Sequence, residues 1–282
     1  MCARSQLSID DMAFMGHGRF TGAGREVMAV IWGFFDGSYE REEKPSVIAV
    51  CGFIAPKEYW IRLTERWALA ILNPELPSVL RRFHAFDCVH GIEEFASWNL
   101  ADRLALWGDL VGILIDSELA AVGSVLICEH FYALSDAMQK RLRNPYHLPV
   151  EMCIQSTLTK VRTELPEEHV GLFFDNENRP IADESHIRYG LYSQDPNWNS
   201  NLAGFAQVSS YDAVPLQAAD LLAYGSFRWH KKAFYPDTPD LDFPIMPAFG
   251  RLLANVEACG VVYEEKALAA LTSQITEREG IR

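Results

Sequence analysis

The sequence predicts an α/β fold: one mixed β-sheet covered by helices on both faces. Three observations predict it. Short continuous apolar runs rich in β-branched and aromatic residues recur along the chain, as strands buried on both faces require. Between them lie segments with apolar residues at helical spacing. The strands begin as a hairpin and then alternate with helices, an order that builds a mixed sheet covered on both sides. Composition agrees. The chain has 282 residues, 49% hydrophobic and 22% charged, which excludes a disordered or collagen-like polypeptide. It is long enough to bury a sizeable core without disulfides or metal staples.

Residues 1–26 are rich in Gly, Ser and charge, have no periodicity, and read as a disordered leader. The first strand is MAVIWGFF over 28–35, with Met28 as an alternative start of the chain, and it stops at Asp36-Gly37-Ser38. The run 46–55 (SVIAVCGFIA) is its hairpin partner. Pro56 opens a helix marked by Trp60, Leu63, Trp67, Ala70 and Ile71, and Pro74 and Pro77 end it. Residues 83–87 read as a short strand or a loop. Leu100, Leu104, Trp107, Val111 and Leu114 mark the next helix, and 118–128 the third strand. Ile154, Leu158, Val161 and Leu165 mark a further helix, closed by Pro166. The run 170–174 (VGLFF) is a strand that again ends in Asp, at Asp175, and 202–209 is the last one expected. Pro215 opens a helix to His230 at its favoured first-turn position. Residues 232–247, with four prolines, read as an irregular connection before two closing helices.

Charge and cysteine usage bound the function. The net charge of −13 argues against a general nucleic-acid coat protein, which carries a basic footprint. It leaves room for a nuclease, since a local groove or bound metal reverses the local field. The six cysteines form no C-x-x-C pair, and Cys51, Cys128 and Cys153 fall inside apolar runs. That pattern fits a reducing cytoplasm. The longest apolar run, 119–128, is half the length of a membrane helix, so no membrane partner is expected.

Two features point to chemistry. Two strands end in Phe-Phe-Asp, at Asp36 and Asp175, and ligands of open α/β sheets collect at strand ends. Each Asp also suits an ordinary turn. The second feature is the helix segment LQAADLLA, 216–223. At 100° per residue Asp220 falls amid Leu216, Ala219, Ala223 and Phe227, with Gln217, Tyr224, Arg228 and Lys231 beside it. An ionised Asp on such a surface demands a partner. Either Arg228 or another base pairs with it, or it joins Asp36 and Asp175 at the sheet rim. Three carboxylates about 4 Å apart repel by roughly 4 kcal/mol per pair at an effective dielectric near 20. One keeps its proton or a divalent cation neutralises them. Oxygen ligands favour Mg²⁺ or Mn²⁺, and two such ions clamp the reacting oxygens of a phosphodiester. Asp36, Asp175 and Asp220 are the expected ligands, with Glu177, Asp212 and Asp87 as candidates for a fourth. His84 is a candidate proton shuttle. The cluster His84, Asp87, Cys88 and His90 also contains zinc-capable side chains, at a spacing that matches no standard zinc pattern. No Walker, G-x-S-x-G, G-x-G-x-x-G or H-E-x-x-H sequence occurs.

These residues resemble the family called domain of unknown function 3800, grouped with ribonuclease H-like folds. The matching segments are Phe35-Asp36-Gly37-Ser38, Gly52-Phe53-Ile54, His84-Ala85-Phe86-Asp87, the strand ending at Asp175 with Glu177 close by, and Leu216-Gln217-Ala218-Ala219-Asp220-Leu221. They span about 28–232 in the family's order. The resemblance implies a single ribonuclease H-like domain over 27–282 with helical insertions and a C-terminal helical extension. It implies a metal-dependent nuclease that hydrolyses RNA or DNA. Asp36, Asp175, Asp220, His84 and Asp87 are then the catalytic candidates, and Asp36, Asp175, Asp220 and Glu177 the ligands of two Mg²⁺ or Mn²⁺ ions. Ser38, Gln217, Arg228 and Lys231 are the candidate substrate contacts, with Lys232 extending the same helix. One departure matters: the family's Glu after the first Asp is Gly37 here, so if that Glu assists metal binding, Glu40 or Glu177 must replace it or activity is altered. A PIN-like nuclease is a second enzyme reading, but its parallel sheet conflicts with the early hairpin. A non-catalytic nucleic-acid- or protein-binding module is the alternative of another class.

Overall fold

The computed structural model of the chain describes residues 31–239 and 243–279. The leader, the alternative start at Met28 and the first residues of the expected 28–35 strand lie outside the described residues. Six strands form one mixed sheet: β1 (Ile31–Tyr39), β2 (Val47–Pro56), β3 (Ala120–Ile127), β4 (Val170–Asp175), β5 (Leu202–Val208) and β6 (Ala258–Tyr263). Their order is β5-β4-β1-β2-β3-β6. β1 pairs antiparallel with β2, and β2 with β3. β4 runs parallel to β1, β5 to β4, and β6 to β3. The expected hairpin is therefore present, and the sheet is not the all-parallel one of the PIN-like reading.

Helices cover both faces. The described helices are α1 (Lys57–Ile71), α2 (Ala85–His90), α3 (Leu100–Ile115), α4 (Cys128–Tyr132), α5 (Asp136–Arg141), α6 (His147–Glu164), α7 (Arg179–Gln194), α8 (Val214–Phe234), α9 (Ile245–Asn255) and α10 (Glu265–Glu279). Side chains alternate across a strand, and β1 uses both faces. Trp32 and Phe34 join the core beneath α1, α3, α8 and α9, whereas Ile31 and Phe35 join the core beneath α6 and α7. This is why β1 and β4 read as unbroken apolar runs. No described helix is long and apolar enough to cross a membrane.

Aromatic pairs set the register that matters. Phe34 opposes Phe173 and Phe35 opposes Phe174 across the parallel β1–β4 pair. Their rings stack at 4.6 Å on one face and 5.0 Å on the other. Each such contact adds about 0.5–1.5 kcal/mol beyond area burial, and a one-residue slip would break both. The next residues along are Asp36 and Asp175. The stacked phenylalanines therefore place these two acids side by side, on the Phe34 and Phe173 face that α8 covers.

Several expectations need correction. Residues 83–87 are neither strand nor simple loop, because Ala85 opens α2. The third strand ends at Ile127, and Cys128 begins a helix. α8 runs to Phe234, beyond His230. The irregular link is shorter than 232–247, since α9 starts at Ile245. α4, α5 and α7 are additional helices, and β6 stands between the two closing helices.

Candidate carboxylate site

Asp36, Asp175 and Asp220 are all buried, with 7, 6 and 7% exposure. Alternation brings the first two to the α8 face of the sheet. α8 is apolar nearly all round and buried from Val214 to Phe227, and it lies across β1 and β2 with Asp220 in its second turn. The Gly37 N–H donates to Asp36 Oδ1 at 2.6 Å, and the Glu177 N–H donates to Asp175 Oδ1 at 3.3 Å. The Ala85 N–H, at the start of α2, donates to Asp220 Oδ2 at 2.6 Å. Arg228, one expected partner of Asp220, forms no ion pair among the described residues. Its charge instead holds the His90 imidazole down, in second place to burial.

The electrostatics are those of acids lacking a sufficient counter-charge. Burial pushes the Asp36 carboxyl far up, and the charges of Asp175, Asp220 and Glu177 push the same way. Burial and the Glu177 charge raise Asp175 to about 6, with Asp220 adding to the rise. Burial also raises Asp220, although His84, the Ala85 N–H and Arg82 pull it back. Desolvation and like charge act together here, which is the pattern of functional acids.

The loop before α2 supplies the surrounding groups. Gln217 is fully buried, and its Oε1 accepts from Trp67 Nε1 and from the Phe83 N–H, each at 3.0 Å. Its Nε2 donates to the Ser210 carbonyl at 3.0 Å. It thus ties residues 83 and 210 to α8 and holds both loops around Asp220. His84 Nδ1 lies 2.9 Å from Asp87 Oδ2, an ion-pair distance off the direction of a hydrogen bond. Burial pushes this imidazole down, but Asp220 and Asp87 outweigh it and keep it above its ordinary range.

Arg82 is the site residue the sequence reading missed. Its guanidinium donates to both Glu177 oxygens at 3.0 Å and to Ser210 Oγ at 2.8 Å, and lies 3.7 Å above the Tyr211 ring. Ser209 Oγ donates to Glu177 at 2.7 Å. Burial alone would raise Glu177, but Ser209 and Arg82 hold it low and charged. The available signal was position: Arg82 stands two residues before His84.

The remaining candidates are placed as follows. Lys231 pairs with Glu40, which also accepts from Ser46. Glu40 is thus committed elsewhere, and Glu177 is the acid whose charge reaches Asp36 and Asp175. A Cβ on Gly37 would stand 1.9 Å from Ile181 Cδ1. Position 37 faces α7, away from Asp36, and Ile181 stands where a longer side chain would begin. Ser38 is partly buried one residue further along β1. Asp212 lies in the turn before α8, its N–H bonded to the Ser209 carbonyl. The zinc grouping is not assembled. His90 meets Tyr224 at 3.2 Å, and burial pushes the Cys88 thiol far up, against a thiolate ligand.

Among the described residues no three or more His, Cys, Asp or Glu side chains stand close enough to grip one ion as they are. The donor chemistry does fit a hard cation: oxygen-only, buried, mutually repelling acids on adjacent elements. Comparison with family models, curated proteins and solved structures finds no match. The functional argument therefore rests on the residues themselves.

Proposed function

We propose that the protein is a divalent-metal-dependent phosphodiesterase acting on RNA or DNA, built on a ribonuclease H-like fold. The reading also places the chain with the family it resembles and in the cytoplasm. The observation that carries it is the trio Asp36, Asp175 and Asp220: three buried acids, the first two on adjacent strands and the third on the helix across them, all pushed up by desolvation, with the Asp220 charge adding to the rise of the other two. A scaffold gains nothing from such an arrangement, whereas neutralisation by Mg²⁺ or Mn²⁺ relieves it. The three aspartates would hold the metal, with Glu177 beside them. A pair of such ions supplies a polarised phosphate oxygen and an activated water.

The protein's own groups do the rest. The Ala85 N–H fixes the rotamer of Asp220. Gln217 holds the loop that carries that N–H. His84, beside Asp87 and with its imidazole raised by the Asp220 and Asp87 charges, offers a proton to a leaving oxygen. Arg82 keeps Glu177 ionised. Arg228 is the helix cation left for a phosphate, since Lys231 is neutralised by Glu40.

Calorimetric titration of Mn²⁺ into the metal-free protein tests the reading, run beside Asp36→Asn and Asp220→Asn. The expected result is binding by the wild type that both substitutions weaken by tenfold or more, with Mn²⁺-dependent cleavage of a mixed oligonucleotide lost in both. Folded wild type that takes up no Mn²⁺, with or without the oligonucleotide, would overturn the reading in favour of a non-catalytic binding module.

A further inference from the structure

We infer that the substrate is single-stranded nucleic acid, gripped by two aromatic side chains that flank the carboxylate site, Tyr211 and Phe86. This deepens the reading above and rests on its nucleic-acid substrate. Tyr211 is 41% exposed and Phe86 is 44% exposed, beside a site whose other aromatic neighbours are buried. Both are tied to the groups that hold the acids. Tyr211 follows Ser209 and Ser210, which bond Glu177 and Arg82. Phe86 follows Ala85, whose N–H holds Asp220. Neither ring is loose. The Arg82 guanidinium covers one face of Tyr211 at 3.7 Å. Phe86 lies 4.2 Å from the His90 ring, 6.2 Å from Tyr224 and 6.5 Å from His84.

The charge inventory says what these rings are for. A duplex is held chiefly through its phosphates by many lysines and arginines. Here Arg82 is committed to Glu177, Lys231 to Glu40, and Lys232 contacts the carbonyls of Pro236 and Thr238, which leaves Arg228 as the cation of that helix for a phosphate. The whole chain carries −13. With little cationic grip available, affinity must come from stacking, and a base presents a free face only when it is unpaired or splayed out. Both rings are carried by the segments that hold the acids, so a base stacked on either would bring its strand's phosphate toward the carboxylates. A peptide would also meet aromatic rings, but it offers no phosphate for the carboxylates and their cation.

The test is fluorescence anisotropy with a short labelled strand, as DNA and as RNA, each single or annealed to its complement. Protein is titrated in once with EDTA and once with Mn²⁺. The wild type is expected to bind the single strand at least tenfold more tightly than the duplex. Tyr211→Ala and Phe86→Ala are each expected to weaken single-strand binding by about five- to a hundredfold. Tyr211→Phe, which keeps the ring, should stay within about twofold of wild type. Equal or tighter duplex binding, indifference to both alanines, or no strand bound in either arm would overturn the inference. Because the EDTA arm needs no metal, strand binding that survives while Mn²⁺ fails to bind sinks the nuclease reading and leaves the aromatic clamp standing.

Discussion

Two regions of this molecule bury acidic side chains, and they do so on opposite terms. Between α6 and α7, Glu184 is surrounded by partners. Arg188 Nε and His147 Nδ1 lie 3.0 Å from its Oε1, and Asn144 donates to its Oε2 at 3.0 Å. Arg188 and Tyr192 go on to engage Glu151 at 3.3 and 2.6 Å. Burial pushes Glu184 up, but His147, Asn144 and Arg188 pull it down to about 2. On the other face of the sheet Asp36 and Asp175 have like charge and backbone N–H groups as neighbours, and both are pushed up. The same desolvation operates in both places. The presence or absence of a buried cation decides the sign. A compensated acid holds two helices together, whereas an uncompensated one stores repulsion that a ligand can release.

The largest expected effect comes from breaking the compensated side. Glu184→Ala strands the Arg188 and His147 groups, and removing one partner of a buried pair destabilises by about 3–5 kcal/mol. Urea unfolding should show that loss, and a loss below about 1 kcal/mol would mean the network is ornamental to stability. The uncompensated side should respond with the opposite sign. Asp175→Asn removes a charge its neighbours oppose while keeping an oxygen for the Glu177 N–H. Metal-free protein at pH 7 should gain stability on the order of 1–2 kcal/mol, and a net loss would contradict the stored repulsion.

The smallest effect is the pH dependence, and the two regions again differ in sign. Asp175 has its folded value raised to about 6. Its contribution is therefore full below the unfolded carboxyl range and is lost as pH rises through about 6. Glu184, lowered to about 2, contributes above the unfolded range and loses that contribution as pH falls through about 2. Metal-free unfolding followed from pH 7 to pH 5 should show a rise that Asp175→Asn reduces. On the proposed reading Mn²⁺ would compete with that proton, and its affinity should fall over the same interval.

Much of this was legible in the sequence, for reasons that can be named. β1 and β4 announced themselves because both faces are buried, so every residue before Asp36 and Asp175 is apolar; β1 does not stop at Asp36-Gly37-Ser38 as expected but stays paired with β2 to Tyr39. α1, α3 and α8 showed clear apolar stripes. α7 did not, because its buried face includes Glu184, Ser185 and Arg188, and a polar network on a core surface erases the helical pattern. β6 is a short edge strand of mixed exposure and gave no buried run. Within the site, the strand-end acids and Asp220 could be picked out by type and periodicity. Arg82, Ser209 and Tyr211 could not, because loops that converge in space leave no period. Gln217 was expected to face a substrate. Its three protein partners make it a brace instead, a role that depends on Trp67 and Phe83, remote in sequence.

The parallel pairing of β1 with β4 also has a consequence in time. Asp36 emerges well before its strand neighbour Asp175 and the helix carrying Asp220. At roughly 5–20 residues per second, on the order of ten to forty seconds separate the first acid of the trio from the last. Until α8 is complete, no arrangement of the growing chain brings all three together. A polypeptide that threads out beside its own messenger would thus lack the complete trio until α8 has been made.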